Sequence, residues 1–147
     1  MSASNSFENS ILDLVFANVD FANIGDAAGL QNSAAAGSLY LSLHTTPGPG
    51  EAGDQTTNEA TYTSYARIAV ARSGAGWTVS GNSVVNAADA TFPTAIGGPE
   101  TETHFGVGTA SSGAGVLLFS GTLSSSLAVS SGIAPVFLAG DLSVTAD

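Results

Sequence analysis

The amino-acid sequence predicts a mainly β protein: an antiparallel β-sandwich or jelly-roll-like domain preceded by an N-terminal helix and an extended arm. Apolar residues recur at helical spacing only near the N-terminus. From residue 38 onward, short alternating or apolar runs are separated by turn residues, and no helical pattern lies between them. A parallel sheet would need connecting helices, so we expect antiparallel strands.

The predicted helix covers about residues 5–17. Asn5 is a suitable N-cap, and Glu8 stands where the acid of a capping box belongs. The apolar side chains fall on one stripe, made of Phe7, Ile11, Leu14 and Val15 and widened by Leu12 and Phe16. A stripe this wide favours burial on two sides. The following residues to Gly37 read as an irregular arm, which folds back on the body or reaches a neighbour.

Strands are predicted from the change to a period of two. Leu39, Leu41 and Leu43 alternate with polar residues, as in a half-buried strand. A long Pro- and Gly-rich loop follows at residues 45–59. The later runs are residues 65–72, 77–80, 83–87, 90–92, 103–109, 115–120, 127–129, 133–138 and 142–145. We therefore divide the chain into a helix and arm, residues 1–37, and a β-sandwich body, residues 38–147.

The charge balance limits the possible partners. The 147 residues include two arginines, no lysine and twelve carboxylates, for a formal net charge of −10. Phosphate backbones and anionic lipid surfaces are bound through Lys and Arg, so we expect neither nucleic acid nor a membrane as partner. No basic leader and no apolar run of about 20 residues occurs either. A protein surface fits this charge better.

No arrangement of residues points to an enzyme. The chain has no cysteine, and the Gly-x-Ser-x-Gly pattern of a nucleophile elbow is absent. The glycines of residues 106–115 miss the spacing of a phosphate loop. We expect no catalytic residue and no cofactor.

No metal site is predicted, although two groups of residues were considered. His44 and His104 lack a metal-ligand spacing and are expected to be hydrogen-bonded strand histidines, with a pH-sensitive contact as the alternative if they meet. The acids of the 45–59 loop do not match an EF-hand, so a solvated loop is favoured over a calcium site.

Seven residues are candidates for an interface with another protein. Each arginine is expected to pair with acids, and Arg67 shares a strand face with Tyr65. That pair suits a structural salt bridge more than an interface anchor, although Tyr and Arg are both enriched at binding hot spots. The candidate interface residues are Phe7, Ile11, Leu14, Val15, Phe21, Tyr65 and Arg67.

Seven segments resemble a family of small tailed-phage and prophage virion proteins often labelled tail fibre proteins. The resemblance covers nearly the whole chain and is carried by residues 39–45, 49–59, 62–67, 76–82, 103–109, 117–121 and 142–145. It implies a virion component that is made in the cytoplasm of the host bacterium. It leaves the place of the protein in the particle open.

Three functions are compatible with this resemblance and this composition. We favour a capsid decoration or cement protein, which binds the outer face of the shell and clamps adjacent major capsid protein subunits, because the chain has one compact domain and no shaft repeats. We also expect a homo-oligomer, with a trimer as the guess, because such an assembly would suit the capsid shell. The first alternative is a tail or tail-fibre-associated structural protein. The second is a carbohydrate-binding β-module, which would expose Trp77, Tyr40, Tyr62 and Tyr65 on one face.

Overall fold

The structure is a computed structural model and describes residues 2–146. Its helical part is α1, Asn5–Leu12, which continues into a π-helical turn at Asp13–Ala17. The helix predicted at residues 5–17 is confirmed. The predicted cap at Asn5 is wrong: Ser4 is the N-cap, and its hydroxyl accepts a hydrogen bond from the backbone N–H of Phe7. Serine is as good a cap as asparagine, so cap preference does not distinguish these two adjacent positions.

Nine strands follow among the described residues. They are β1 (Ser38–His44), β2 (Ile68–Ala71), β3 (Trp77–Ser80), β4 (Ser83–Asn86), β5 (Ala90–Thr91), β6 (Glu100–Gly108), β7 (Leu117–Val129), β8 (Val136–Phe137) and β9 (Ser143–Thr145). The sheets have the orders β2-β1-β6-β7, β3-β4-β9 and β5-β8. Strand β6 is antiparallel to β1 and β7, and β4 is antiparallel to β3 and β9. The predicted fold class, mainly β with antiparallel sheets and an N-terminal helix, is confirmed.

The longest strand was predicted as two. The predicted runs 115–120 and 127–129 both fall in the single strand β7, which begins at Leu117. Leu123–Ser126 have no partner residues in β6, because the register shifts between Glu102 and His104. The serines of this bulged segment read as a turn in the sequence, yet the strand continues through them. In addition, β2 begins at Ile68 rather than at Tyr65.

The chain forms two compact units that are not consecutive in sequence. Unit 1 contains Met1–Ser38, Val70–Ala90 and Phe137–Asp147, and unit 2 contains Leu39–Ala69 and Thr91–Val136. The helix and arm are therefore joined in one unit with the β3-β4-β9 sheet. That residues 1–37 and 38–147 fold independently, as the predicted division implies, stays a prediction.

In unit 1 the helix packs on strands β3 and β4. Leu12 and Phe16 are buried, and the ring of Phe16 meets Trp77 edge-on at a centroid distance of 4.8 Å. The fully buried helix positions are thus Glu8, Leu12 and Phe16, rather than the centre of the predicted stripe. Because apolar residues surround much of the helix, periodicity alone did not show which of them face the sheet.

The arm is an ordered loop in unit 1. Phe21 and Leu30 exchange two backbone hydrogen bonds of 2.9 Å, which close the segment between them. Gly29 is required there, because a Cβ at this position would lie 2.0 Å from the carbonyl oxygen of Phe21. Asn18 bonds the backbone of Ser33 through both ends of its side-chain amide. In the single chain the arm therefore folds back on its own unit.

In unit 2 the central strands are β1 and β6. Leu41, Leu43 and Val107 are fully buried on one face. Ser42 and His44 on the other face are also fully buried, so the predicted half-buried strand is wrong for its C-terminal half. The reason is that the 45–59 loop bonds back over this face, with the carbonyl of Thr57 bound to the ring of His44.

Candidate interaction surfaces

Five of the candidate interface residues lie together in unit 1 and are here called the N-terminal apolar surface: Phe7, Ile11, Leu14, Val15 and Phe21. Phe7 is 46% exposed, and the other four are half-buried. The rings of Phe7 and Phe21 are in contact, with centroids 5.5 Å apart. The helix buries Leu12 and Phe16, while the residues of this surface are only partly covered within unit 1. Its role in binding stays a prediction.

Arg72 holds the C-terminal end of the helical segment. Its Nε donates to the carbonyl of Val15 at 2.7 Å, and Nη2 donates to the carbonyl of Leu14 at 2.8 Å. Its Nη1 bonds the Ser33 hydroxyl and the Ala36 carbonyl at 3.2 Å. Among residues 2–146, Arg72 thus pairs with carbonyls and a hydroxyl and not with the acids that were expected. A cation at this end of a helix satisfies carbonyls that have no partner within the helix, and here it also fixes the arm.

Arg67 forms a buried cluster with Glu59 and Tyr65 in unit 2. Its Nε and Nη2 donate to the two carboxylate oxygens of Glu59 at 2.6 and 2.8 Å, and the Tyr65 hydroxyl donates to Oε1 at 3.0 Å. The side chain of Arg67 is 2% exposed. Bonding to Glu59 raises the pKa of Arg67, and burial raises the pKa of Tyr65.

The same arginine ties down a distant loop. Its Nη1 and Nη2 donate to the carbonyls of Ala110 and Gly113, both at 2.8 Å. These contacts provide the structural salt bridge that the sequence favoured for Arg67. A contact of Tyr65 and Arg67 with another protein stays a prediction.

The two histidines are partners across the β1–β6 ladder. The Nδ1 of His44 lies 3.0 Å from the carbonyl of Thr57, so it carries the proton, and Nε2 accepts from the Ser42 hydroxyl at 2.7 Å. The Nδ1 of His104 bonds the Thr103 hydroxyl at 2.8 Å. Both are hydrogen-bonded strand histidines, as expected. Burial lowers the pKa of His44, which keeps it neutral at physiological pH.

A pair of acids at the start of β6 was not predicted. Glu100 accepts hydrogen bonds from the backbone N–H groups of Thr61 and Tyr62 at 2.7 and 2.6 Å. Glu102 is fully buried, and no backbone N–H, side-chain amide or alcohol within residues 2–146 donates a hydrogen bond to its carboxyl oxygens. Desolvation, followed by repulsion from Glu100 and a hydrogen bond shared with that acid, raises the pKa of Glu102 to about 8. The predicted strand began at residue 103, so both acids lay outside it.

The aromatic residues do not form a sugar-binding platform. Trp77 is 1% exposed and Tyr62 is 2% exposed. Tyr40 and Tyr65 are only half-buried, but Trp77 belongs to unit 1 and the tyrosines to unit 2. Sugar recognition would need exposed aromatic faces, so this burial counts against the carbohydrate-binding alternative.

The acidic loop lacks the geometry of a cation site. Asp54 uses its carboxylate to accept bonds from Thr56 and Thr57 within the loop, which lowers its pKa. Within the part of the chain that the structure describes, no group of three or more possible metal ligands occurs. Among those residues there is also no helix with the length and apolar character needed to span a membrane.

Comparison with protein families gives a match along nearly the whole chain. The model of a family described as podophage GP4 fiber I protein gp80 matches residues 2–145. The chain belongs to this fibre protein family. It is accordingly a phage virion structural protein of the tail fibre type and not an enzyme. The comparison with curated proteins finds no match.

Membership in the fibre family confirms part of the prediction and changes another part. A virion component without enzymatic activity was expected, and the family agrees with it. The favoured interpretation, a capsid decoration protein on the outer shell, finds no support in a fibre family. The tail or fibre placement, which was the alternative, is the one that the family supports.

Proposed function

We propose that this fibre family member is a structural subunit of the phage tail fibre that docks on a neighbouring tail or fibre protein through its N-terminal apolar surface. The observation that carries the proposal is the family match over residues 2–145. A fibre subunit acts by binding its neighbours and not by chemistry. The tests below also distinguish this function from capsid decoration, in which the partner would be the major capsid protein.

The exposure of Phe7 supports the choice of surface. A large apolar side chain contributes roughly 1.5–3 kcal/mol when it is fully buried. Phe7 is 46% exposed, so a sizeable part of that gain is still available to a partner. Ile11 and Leu14 extend the same surface along the helix. Such contacts add up in a fibre, where subunits are repeated or multiply anchored.

The charge of the chain restricts the partner further. A net charge of −10 repels acidic proteins at a distance and attracts basic ones. The docking partner is therefore a virion protein with a neutral or basic surface around an apolar groove. Electrostatic attraction of this kind speeds association and weakens in high salt.

The location can be tested on purified particles of the phage that encodes the chain. Gold-labelled antibodies against the protein should bind at the tail, and quantitative mass spectrometry should find few copies relative to the major capsid protein. Labels spread over the shell, with hundreds of copies per particle, would establish the decoration role instead.

The docking surface can be tested with one exposed substitution. Phe7→Gln should weaken binding to tail or fibre proteins in a pull-down from purified, dissociated virions, because it removes apolar contact area without touching the core. Leu138→Gln is the matched control, since Leu138 is also in unit 1 and is 53% exposed. If both variants bind as the wild type does, the contact lies elsewhere.

A further inference from the structure

The outer edge of β7 is open. This strand is 13 residues long and stands at the end of the β2-β1-β6-β7 sheet, where β6 is its neighbour on one side. No other strand within residues 2–146 pairs with its second side. The backbone N–H and C=O groups along this side therefore lack strand partners. Such an edge is a template for pairing with another strand.

Most of the usual protections of an edge strand are missing. Proteins block edges with short strands, charged side chains, prolines or bulges. Leu117–Val129 contains no Asp, Glu, Lys, Arg or Pro. A bulge is present at Leu123–Ser126, which have no partner residues in β6, but the strand continues through it to Val129. The composition and length of this edge therefore favour pairing with another strand.

The distribution of charge identifies the partner. Between Glu102 and Asp141 the chain has no Asp, Glu, Lys or Arg, and β7 lies in the middle of this stretch. Two copies with a net charge of −10 each repel one another wherever their acids face. A second copy can approach closely only through a charge-free surface. A basic partner would instead be attracted to the acidic parts of the chain.

The side chains of β7 fit a second copy as well. Its alternate residues Ser120, Thr122, Ser124 and Ser126 are exposed, and cross-strand hydroxyl pairs stabilise antiparallel strands. Leu123 and Leu127 are only half-buried, and Leu118 is 36% exposed. A strand added at the edge would cover the remaining apolar area of these leucines.

We propose that the outer edge of β7 is a contact between copies of this chain, in which two β7 strands pair antiparallel around a two-fold axis. In such a contact the same surface is used twice, so pairing closes with two copies and leaves neither β7 edge open. The expected assembly is a dimer rather than the trimer guessed from the sequence. The contact does not depend on where the protein sits in the virion.

The test measures self-association of the full chain by sedimentation between about 1 and 100 μM, a range that brackets micromolar affinities. The wild type should be dimeric at the upper end. Ser120→Glu with Ser124→Glu places like charges opposite each other at the contact and should raise the dissociation constant at least about tenfold. Ser131→Glu, an exposed position outside β7, adds the same kind of charge and should leave the dimer intact.

Hydrogen exchange of the backbone amides of the wild-type protein is a second test, which requires no substitution. Amides of residues 118–128 should become more protected as the protein concentration rises, while those of the 45–59 loop should not change. A monomeric wild type at the highest concentration would overturn the proposal. The proposal would also be overturned if the wild type dimerised, the two glutamates left its dissociation constant unchanged, and the β7 amides exchanged at the same rate at all protein concentrations.

Discussion

Glu102 is a carboxyl group in the interior of unit 2 without a salt bridge. It is 0% exposed, and another acid, Glu100, lies two residues earlier in β6 on the same face of the strand. Burial of an ionised carboxylate without partners costs far more than burial of the neutral acid. Its pKa of about 8 means that the group is mostly protonated at neutral pH. The arrangement links the stability of unit 2 to pH.

The first prediction concerns the pH dependence of stability through Glu102. Its pKa in the folded chain, about 8, lies above its ordinary value of 4.5. The folded state therefore holds this proton more tightly than the unfolded state, and the free energy of unfolding should fall as pH rises from 4.5 to 8. The slope for one group is at most about 1.4 kcal/mol per pH unit.

Urea unfolding at a series of pH values, followed by circular dichroism, measures this slope. Glu102→Gln should show a flatter profile than the wild type between pH 5 and 8, because the amide does not ionise. Glu51→Gln removes an exposed carboxyl of the loop and should keep the wild-type profile. Equal profiles for wild type and Glu102→Gln would mean that Glu102 ionises normally.

At the scale of elements, the N-terminal helix has two different faces. Phe16 is fully buried and lies against Trp77, whereas Phe7 on the same helical segment is 46% exposed. One face holds unit 1 together, and the other is available for docking. Since both residues are phenylalanine, the difference in their roles comes from position alone.

The second prediction compares the same substitution at these two positions. Phe16→Ala should lower the free energy of unfolding of unit 1 by about 3–5 kcal/mol, because it removes a buried ring and leaves a cavity. Phe7→Ala should cost less than about 1 kcal/mol, as for most exposed positions. Fluorescence of Trp77, the single tryptophan, reports the unfolding of unit 1. Equal losses at the two positions would contradict the packing described.

At the scale of the whole molecule, charge is the dominant property. Ten more carboxylates than arginines leave a chain that repels itself in the folded state at low ionic strength. Only one of the acids, Glu59, forms a salt bridge within residues 2–146. Apart from Glu102, which is mostly protonated at neutral pH, the others contribute to a diffuse negative field.

The third prediction follows from this field. Raising sodium chloride from 0.01 to 0.5 M should raise the thermal midpoint at pH 7, because the screening length falls from about 30 Å to less than about 10 Å. Differential scanning calorimetry measures the shift. Near pH 4.1, the isoelectric point, the same salt change should have little effect. A salt effect that is equal at both pH values would show that self-repulsion is not its cause.

Local patterns predicted much of the fold. The helix at residues 5–17 and the strand at residues 77–80 were predicted with the bounds that the structure has, because helical spacing and turn residues act within a few positions. The structural roles of Arg67 and of both histidines were also expected. The cap at Ser4 and the single strand β7 were missed, since two caps were available and a serine-rich bulge resembles a turn.

The sequence by itself determined the fold class, the net charge, the lack of a catalytic sequence motif and the resemblance to phage virion proteins, because each depends on composition or on short-range order. The tertiary structure alone decided that the helix shares unit 1 with the β3-β4-β9 sheet, that Leu12 and Phe16 rather than Phe7 face that sheet, and that Arg72 binds carbonyls. It also decided that Glu102 is buried. These outcomes depend on contacts between residues far apart in the chain, and no local pattern encodes which distant surface will cover a side chain.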